Sequence, residues 1–363
     1  MKPSELYWLA IVINNQLTSI ETKHLLNQNI SIEKIYKLSE QNKLELCQNN
    51  PDFFNRLLKS FDLGEKVEKV LYDLEQIQAW MVSIEDEQYP PLLKKIADPP
   101  PVLFVKGELQ PHRQCLAIVG TRKATYYGTS TAKKLATELA QADFGIVSGL
   151  AEGIDTAAHE GALEARGYTI AVLGGGIDQI FPAQNRGLYE TIARKGAIIS
   201  EYPPGVHGTK FTFPKRNRII AGIARGVMVV EAPQKSGSLI TARLAMEENR
   251  EVFAIPGKIN EPNNYGTHKL IQDGAKLVQE VEDIFDEFNL MVPKKEEIKK
   301  HEPALNLNEK EQLIYKFLSF EPIHLDSLVE FTKLSVNEVS ASLTMLEIKS
   351  ICKQLPGKLF VKI

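Results

Sequence analysis

Six loops in the middle of the chain each follow an apolar, β-branched run, at the point where a strand would end. They are Ile118-Val119-Gly120-Thr121-Arg122, Val147-Ser148-Gly149-Leu150-Ala151-Glu152-Gly153-Ile154-Asp155, Leu173-Gly174-Gly175-Gly176-Ile177-Asp178, Ile199-Ser200-Glu201, Val230-Glu231-Ala232 leading to Ser236-Gly237-Ser238, and Ile255-Pro256-Gly257. Between them lie amphipathic segments such as 129–142, where Ala132, Leu135, Ala136 and Leu139 share a helical face. Strands separated by helices of this size predict a doubly wound, Rossmann-like parallel sheet. Ligands of such sheets bind in the crevice beyond the carboxyl ends of the strands. Glycines placed there let backbone come close to a ligand, and each following helix offers free N–H groups and a partial positive charge. The expected ligand is anionic, with phosphate the first candidate.

Other classes of chemistry lack their motifs. Cys47, Cys115 and Cys352 are scattered with no Cys-x-x-Cys, which argues against a disulfide framework and structural zinc and fits a reduced, cytoplasmic setting. No His/Cys/Asp cluster has metal-ligand spacing. There is no Gly-x-Ser-x-Gly elbow, no Gly-x-x-x-x-Gly-Lys-Ser/Thr loop and no Gly-x-Gly-x-x-Gly after the first strand of the sheet, so neither a P-loop ATPase nor a nicotinamide or flavin enzyme is expected. No apolar run reaches the roughly 20 residues of a membrane span, and no cofactor or membrane partner is expected. A net charge of −3 means that any nucleic-acid site must be a local basic patch on a mildly acidic chain.

At 363 residues the chain suits two or three domains. Residues 1–78 read as an all-α module, with Leu6, Leu9, Ala10 and Ile13, and later Leu71, Leu74 and Ile77, at helical spacing. Residues 79–290 hold the sheet domain, entered through a Pro-rich connector in which 102–105 looks like a strand. A charged linker is expected at 291–304, and a second compact domain at 305–363. There Asn308 can cap one helix, another runs from about 326 to 331, and a third starts at Ser335 with Glu338 completing a capping box. Segments 349–354 and 358–362 flank Pro356-Gly357 as a hairpin, giving a winged helix-turn-helix.

Within the sheet domain, Gly120, Thr121 and Arg122 end one strand, and an Arg placed just before a helix suits bidentate phosphate contacts. Ser148, Gly149 and Gly175 belong to the next loops. The richest segment is Phe211-Thr212-Phe213-Pro214-Lys215-Arg216-Asn217-Arg218, where aromatic side chains able to stack on unpaired bases precede cations able to hold phosphates. Phe213, Lys215, Arg216 and Asn217 are candidates, with Lys215 expected to face solvent. Arg218 either touches ligand or clamps Glu201 or Glu231 at neighbouring strand ends. Ser236, Gly237 and Ser238 form a helix N-terminus with Lys235 beside it and Arg243 further on. Asp155 reads as a helix cap, and His159 one turn later as a packed or exposed side chain, neither as a catalytic group.

These residues resemble one family. Val119-Gly120-Thr121-Arg122, the 148–159 loop with its Asp155 and His159, Phe213-Pro214-x-Arg216-Asn217-Arg218, Ser236-Gly237-Ser238-Leu239-Ile240-Thr241-Ala242 and Pro256-Gly257 look like the DNA-processing protein family DprA, also called Smf, over residues 80–290. The helical module is similar to that family's SAM-like or helix-hairpin-helix domain, and the C-terminal domain to its winged helix. The resemblance implies a homodimeric, non-enzymatic protein that binds and protects single-stranded DNA and helps load the RecA recombinase in natural transformation, with Arg122 matching a DNA-contacting Arg. Two departures stand out. Ala183 occupies a position that is basic in several relatives, which shifts weight to Lys215, Lys235 and Arg243. The expected recognition helix, 335–347, carries no Lys or Arg, unlike a specific duplex reader. The alternative from the enzyme class is a nucleotide-processing phosphoribohydrolase of the lysine-decarboxylase-like type, whose Pro-Gly-Gly-x-Gly-Thr loop is not matched by Ser236–Thr241.

Overall fold

The structure, a computed structural model, describes residues 2–28, 30–290, 307–319, 322–349 and 351–362; the expected charged linker lies outside the described residues. Residues up to 124 and 131–290 form one compact unit, and Thr125–Ser130 with the C-terminal residues form a second.

The larger unit is organised on nine strands: β1 (Trp80–Ser83), β2 (Val102–Gly107), β3 (Cys115–Val119), β4 (Gly145–Ser148), β5 (Thr169–Val172), β6 (Ala197–Ser200), β7 (Gly226–Val229), β8 (Glu251–Ala254) and β9 (Lys276–Leu277). Their order is β1-β2-β6-β5-β4-β3-β7-β8-β9. The strands from β6 to β9 are parallel, whereas β1 and β2 add an antiparallel arm at the β6 edge. Strands β3 to β7 are buried throughout, which is why they read as continuous Val/Ile/Ala runs rather than alternating ones. The six predicted parallel strands are present within a residue of their expected ends. The proline-rich connector holds one strand more than expected: 80–83 pairs with 102–105, and the prolines sit in the turn between them.

Six helices precede the sheet: α1 (Pro3–Asn14), α2 (Ser19–Leu26), α3 (Ile32–Lys37), α4 (Glu40–Leu46), α5 (Pro51–Ser60) and α6 (Glu65–Gln76). Capping residues set their starts: Thr18 and Glu21 form a capping box on α2, and Asn50 accepts from the Asp52 and Phe53 amides on α5. Their apolar faces share one core with the sheet, Trp8, Leu9 and Ile11 packing with Val102–Val105. Polar bonds also cross the seam. The Trp8 indole N–H and the Ile32 amide both donate to Glu85 Oε1, at 3.0 and 2.7 Å, and Lys2 pairs with Asp86 at 2.8 Å. The second tryptophan, Trp80, donates to the Gly107 carbonyl at 3.1 Å.

The sheet helices are α7 (Tyr126–Gln141), α8 (Ile154–Glu164), α9 (Arg186–Lys195), α10 (Thr212–Ile223), α11 (Gly237–Glu247), α12 (Tyr265–Gln272) and α13 (Glu282–Glu287). Helices α8 and α9 pack together against β3–β6, while α10 and α11 pack together with α11 over β7 and β8. The chain therefore changes direction of winding between β3 and β7, its topological switch point.

In the C-terminal unit, α14 (Glu309–Tyr315), α15 (Leu325–Thr332) and α16 (Val336–Ile348) pack with β10 (Ile323–His324), β11 (Cys352–Leu355) and β12 (Leu359–Lys362) as a winged helix. Capping boxes form at Asn308/Glu311 and Ser335/Glu338, and the β11–β12 turn carries Gly357 at φ 83°. Its own core includes Ile314, Leu328, Leu343 and Phe360.

Candidate functional site

The strand ends at the switch point surround an open cavity of about 610 Å3. Gly120, Thr121 and Arg122 reach it from β3, Phe213, Arg216 and Asn217 from α10, and Lys235, Ser236, Gly237 and Ser238 from the start of α11. Ten of the candidate residues thus converge from three separate stretches of sequence. Backbone ties fix the geometry: the Thr121 amide donates to the Glu231 carbonyl at 2.8 Å, locking the β3 loop to the β7 loop. Gly153, at φ +80°, brings α8 so close that a Cβ there would lie 2.4 Å from the Thr121 carbonyl oxygen.

The α11 N-terminus is built for an anion. Ser236 is its cap, with its hydroxyl accepting from the Ser238 amide at 3.3 Å and sharing a 2.7 Å bond with the Ser238 hydroxyl. A Cβ at Gly237 would meet nothing within 4 Å, so the first turn faces open space. Exposed Lys235 stands beside it and exposed Arg122 opposite. The Arg122 guanidinium lies over the Phe213 ring at 5.7 Å from its centre, and the Phe181 ring packs against Phe213 at 5.5 Å. Phe181 is 55% exposed and Phe211 74%, so aromatic surface is available beside the cations.

Arg216 behaves differently. It is 5% exposed, and its Nη1 donates to the Gly149 carbonyl at 2.8 Å and to the Val172 carbonyl. Burial pulls its guanidinium down to about 10, against the opposing charge of Asp155. Asp155 does not cap its own helix as expected: its Oδ2 accepts from the Gly149 and Ala151 amides at 3.1 and 3.4 Å. Burial raises its carboxyl above the usual range, and Arg216 and those amides oppose the rise. Arg216 and Asp155 therefore brace the loop after β4 from beneath. His159, fully buried, shares a 2.7 Å bond between Nδ1 and the Thr169 hydroxyl, and burial drives it down to about 3, so it is neutral. Of the cations that line the crevice, Arg122, Lys210 and Lys235 form no ion pair among the described residues.

Lys210 and Phe181 were not among the candidates drawn from the sequence. Both line the crevice and a neighbouring cavity of about 290 Å3, which also takes in Gly149 and Gly175. A signal for Lys210 was its position just ahead of Phe211. Phe181 lies two residues before Ala183, the position that is basic in several relatives.

Four candidates lie elsewhere or point away. Ser148 is fully buried, its hydroxyl donating to the Ile118 carbonyl at 2.6 Å. Lys215 faces solvent as expected, but from the side of α10 away from the crevice, with Nζ 3.4 Å from Glu201. Arg218 is a clamp, donating to both Glu201 oxygens and to Asp98; burial opposes its charge, but the two carboxylates carry it above its ordinary value. Arg243 lies on the outer side of α11, exposed and paired with Glu247 at 3.5 Å.

Nothing in this arrangement supplies an activated nucleophile. Burial raises the Cys47 and Cys352 thiols to about 11 and Cys115 to about 12. Among the described residues no group of three or more His, Cys, Asp or Glu could hold a metal ion, and no helix is long and apolar enough to cross a membrane.

Fold and site define a Rossmann-like protein with a cationic, aromatic-walled crevice at its switch point and a winged helix appended. A family model described as DNA recombination-mediator protein A matches residues 80–289, and one for the DprA winged helix domain matches 299–358. Over 309 residues the chain is 39% identical to the protein Smf of Synechocystis, covering 75% of this chain and 77% of that relative. The X-ray structure of DNA processing protein A (DprA) from Streptococcus pneumoniae superposes with a TM-score of 0.64 at 40% identity, over 79% of this chain and 98% of that one. DNA processing protein A from Helicobacter pylori, whose structure describes a single-stranded DNA binding mode, gives a TM-score of 0.53 at 32% identity over 58% of this chain and 96% of that one. The chain belongs to the DprA/Smf family of DNA-processing proteins.

Proposed function

We propose that this protein binds single-stranded DNA in the switch-point crevice, protects it, and delivers it to RecA as a recombination mediator. The observation that carries the reading is the grouping of Arg122, Lys210 and Lys235, none in an ion pair among the described residues, around the Phe181–Phe213 aromatic wall. Cations and the α11 amides suit phosphates, and exposed rings suit unpaired bases without regard to sequence. The Helicobacter relative and the family's recombination-mediator description support the same assignment. Homodimer formation and a role in natural transformation belong to this reading through the family. The winged helix is read as a protein-contact or accessory module, because the exposed positions of α16 include Val336, Ala341 and Ile348 and no cation.

The test is fluorescence anisotropy with a labelled oligothymidylate against a duplex of equal length at one salt concentration. Single strands should bind well above duplex; equal affinity would refute the reading. RecA-dependent ATP hydrolysis on strands coated by single-strand-binding protein tests the mediator step. A shortened lag on addition of this chain is expected, and an unchanged lag at saturating binding would leave only a protective role.

A further inference from the structure

The helical module and the sheet meet along a groove that the crevice does not use. A cavity of about 510 Å3 there is lined by Lys23 of α2, by Lys94 and Lys95 of the 93–95 turn, and by Asn27 and Ser31. A second cavity of about 350 Å3 adjoins it, since Lys23, Leu26 and Pro99 line both. That second cavity ends on Lys215 and Arg218 of α10. The immediate neighbours of Lys215, Pro214 and Arg216, line the crevice. One helix thus separates the crevice from a groove that runs on to the α2–α3 corner.

Charge along the groove is positive in a chain whose total is negative. Lys23, Lys94 and Lys95 are exposed, and none forms an ion pair among the described residues. The acids beside them are already engaged. Glu85 accepts from Trp8 and Ile32, while Arg218 holds Asp98 and Glu201. Lys215, half exposed, reaches Glu201 by a long contact of 3.4 Å and lies 5.9 Å from the centre of the Tyr202 ring, so an incoming phosphate can replace its carboxylate partner. Apolar lining from Leu26, Ile30 and Pro99 leaves room for bases between the cations.

We propose that this groove is a second binding stretch for the sugar-phosphate backbone, carrying a single strand from the crevice past Lys215 to Lys23, Lys94 and Lys95. The inference rests on the crevice being a single-strand site. It makes the helical module part of the DNA-binding surface and sets a length dependence: short strands fill the crevice, and longer ones gain the groove.

The experiment uses the full chain and its K23Q/K94Q/K95Q variant, with oligothymidylates of about 6 and about 20 nucleotides, near the two ends of known site sizes. Anisotropy is measured across a salt series. The variant should keep wild-type affinity for the short strand, which also reports that it is folded. For the long strand it should lose roughly tenfold, and the slope of log K against log salt should fall by about 2, at about 0.7 per phosphate released. Unchanged long-strand affinity and slope would overturn the groove, as would an equal loss on both lengths. If the wild-type chain binds neither strand, the crevice reading itself falls and the groove with it; binding of the short strand alone overturns only the groove.

Discussion

Arg122 and Arg216 carry the same guanidinium into the same crevice and end in opposite states. Arg122 is exposed and lies over an aromatic ring, whereas Arg216 is buried, its Nη1 donating to the carbonyls of Gly149 and Val172 and its Nε to Asn217 Oδ1. Only the first stands in solvent, where a phosphate can reach it without displacing the loop after β4. Arg122→Ala should weaken single-strand binding by about 1.5–3 kcal/mol and lower the salt slope by about 0.7, with thermal stability unchanged. Titration by anisotropy beside a melting curve checks both; full affinity in a folded variant would remove Arg122 from the site. The conformations of these two arginines were not legible from sequence. The neighbour that buries Arg216 is the loop after β4, some 67 residues away along the chain.

At the scale of elements, the basic run on α10 shows how one stretch of sequence divides between two faces of a helix. Lys215, Arg216, Asn217 and Arg218 are adjacent in sequence, but successive residues on a helix point about 100° apart. Arg216 and Asn217 consequently face the crevice, while Lys215 and Arg218 turn to Glu201 and the Pro-rich connector. The loops and strands were legible because their signals are local: β-branched runs, punctuating glycines, and Ser or Asn caps. The Asp155 brace and the Phe181 wall, and the choice of Glu201 over Glu231 for the Arg218 clamp, depend on which strands become neighbours, and one sequence does not report that. A second consequence belongs to α8, where His159 is buried neutral against Thr169 on β5. Its folded pKa, about 3, lies below the 6.5 of a free imidazole, so the unfolded chain takes up the proton first as pH falls. The stability from this site is complete above pH 6.5 and is lost progressively down to about pH 3, a change of several kcal/mol. A His159→Gln variant should show a flatter decline in urea-unfolding free energy across that window than the parent. Parallel profiles would show that the imidazole is not the titrating group.

For the molecule as a whole, the two cores are separate in composition. The large core draws on residues from Trp8 to Leu270, and the winged-helix core on residues from Leu307 to Phe360. A chain ending at Leu290 should therefore fold and keep most of its single-strand affinity. Circular dichroism and anisotropy on the truncated protein check this, and a folded truncation that binds nothing would move the site out of the crevice. The helical module does not separate in the same way, because its apolar face and the sheet close one interior between them.

The same seam holds both tryptophans of the chain, Trp8 bonded to Glu85 and Trp80 bonded to Gly107. Intrinsic emission excited at the red edge is thus a one-location optical probe. It is silent about the crevice, whose aromatic lining is Phe181 and Phe213, and it reports the seam between module and sheet without any label.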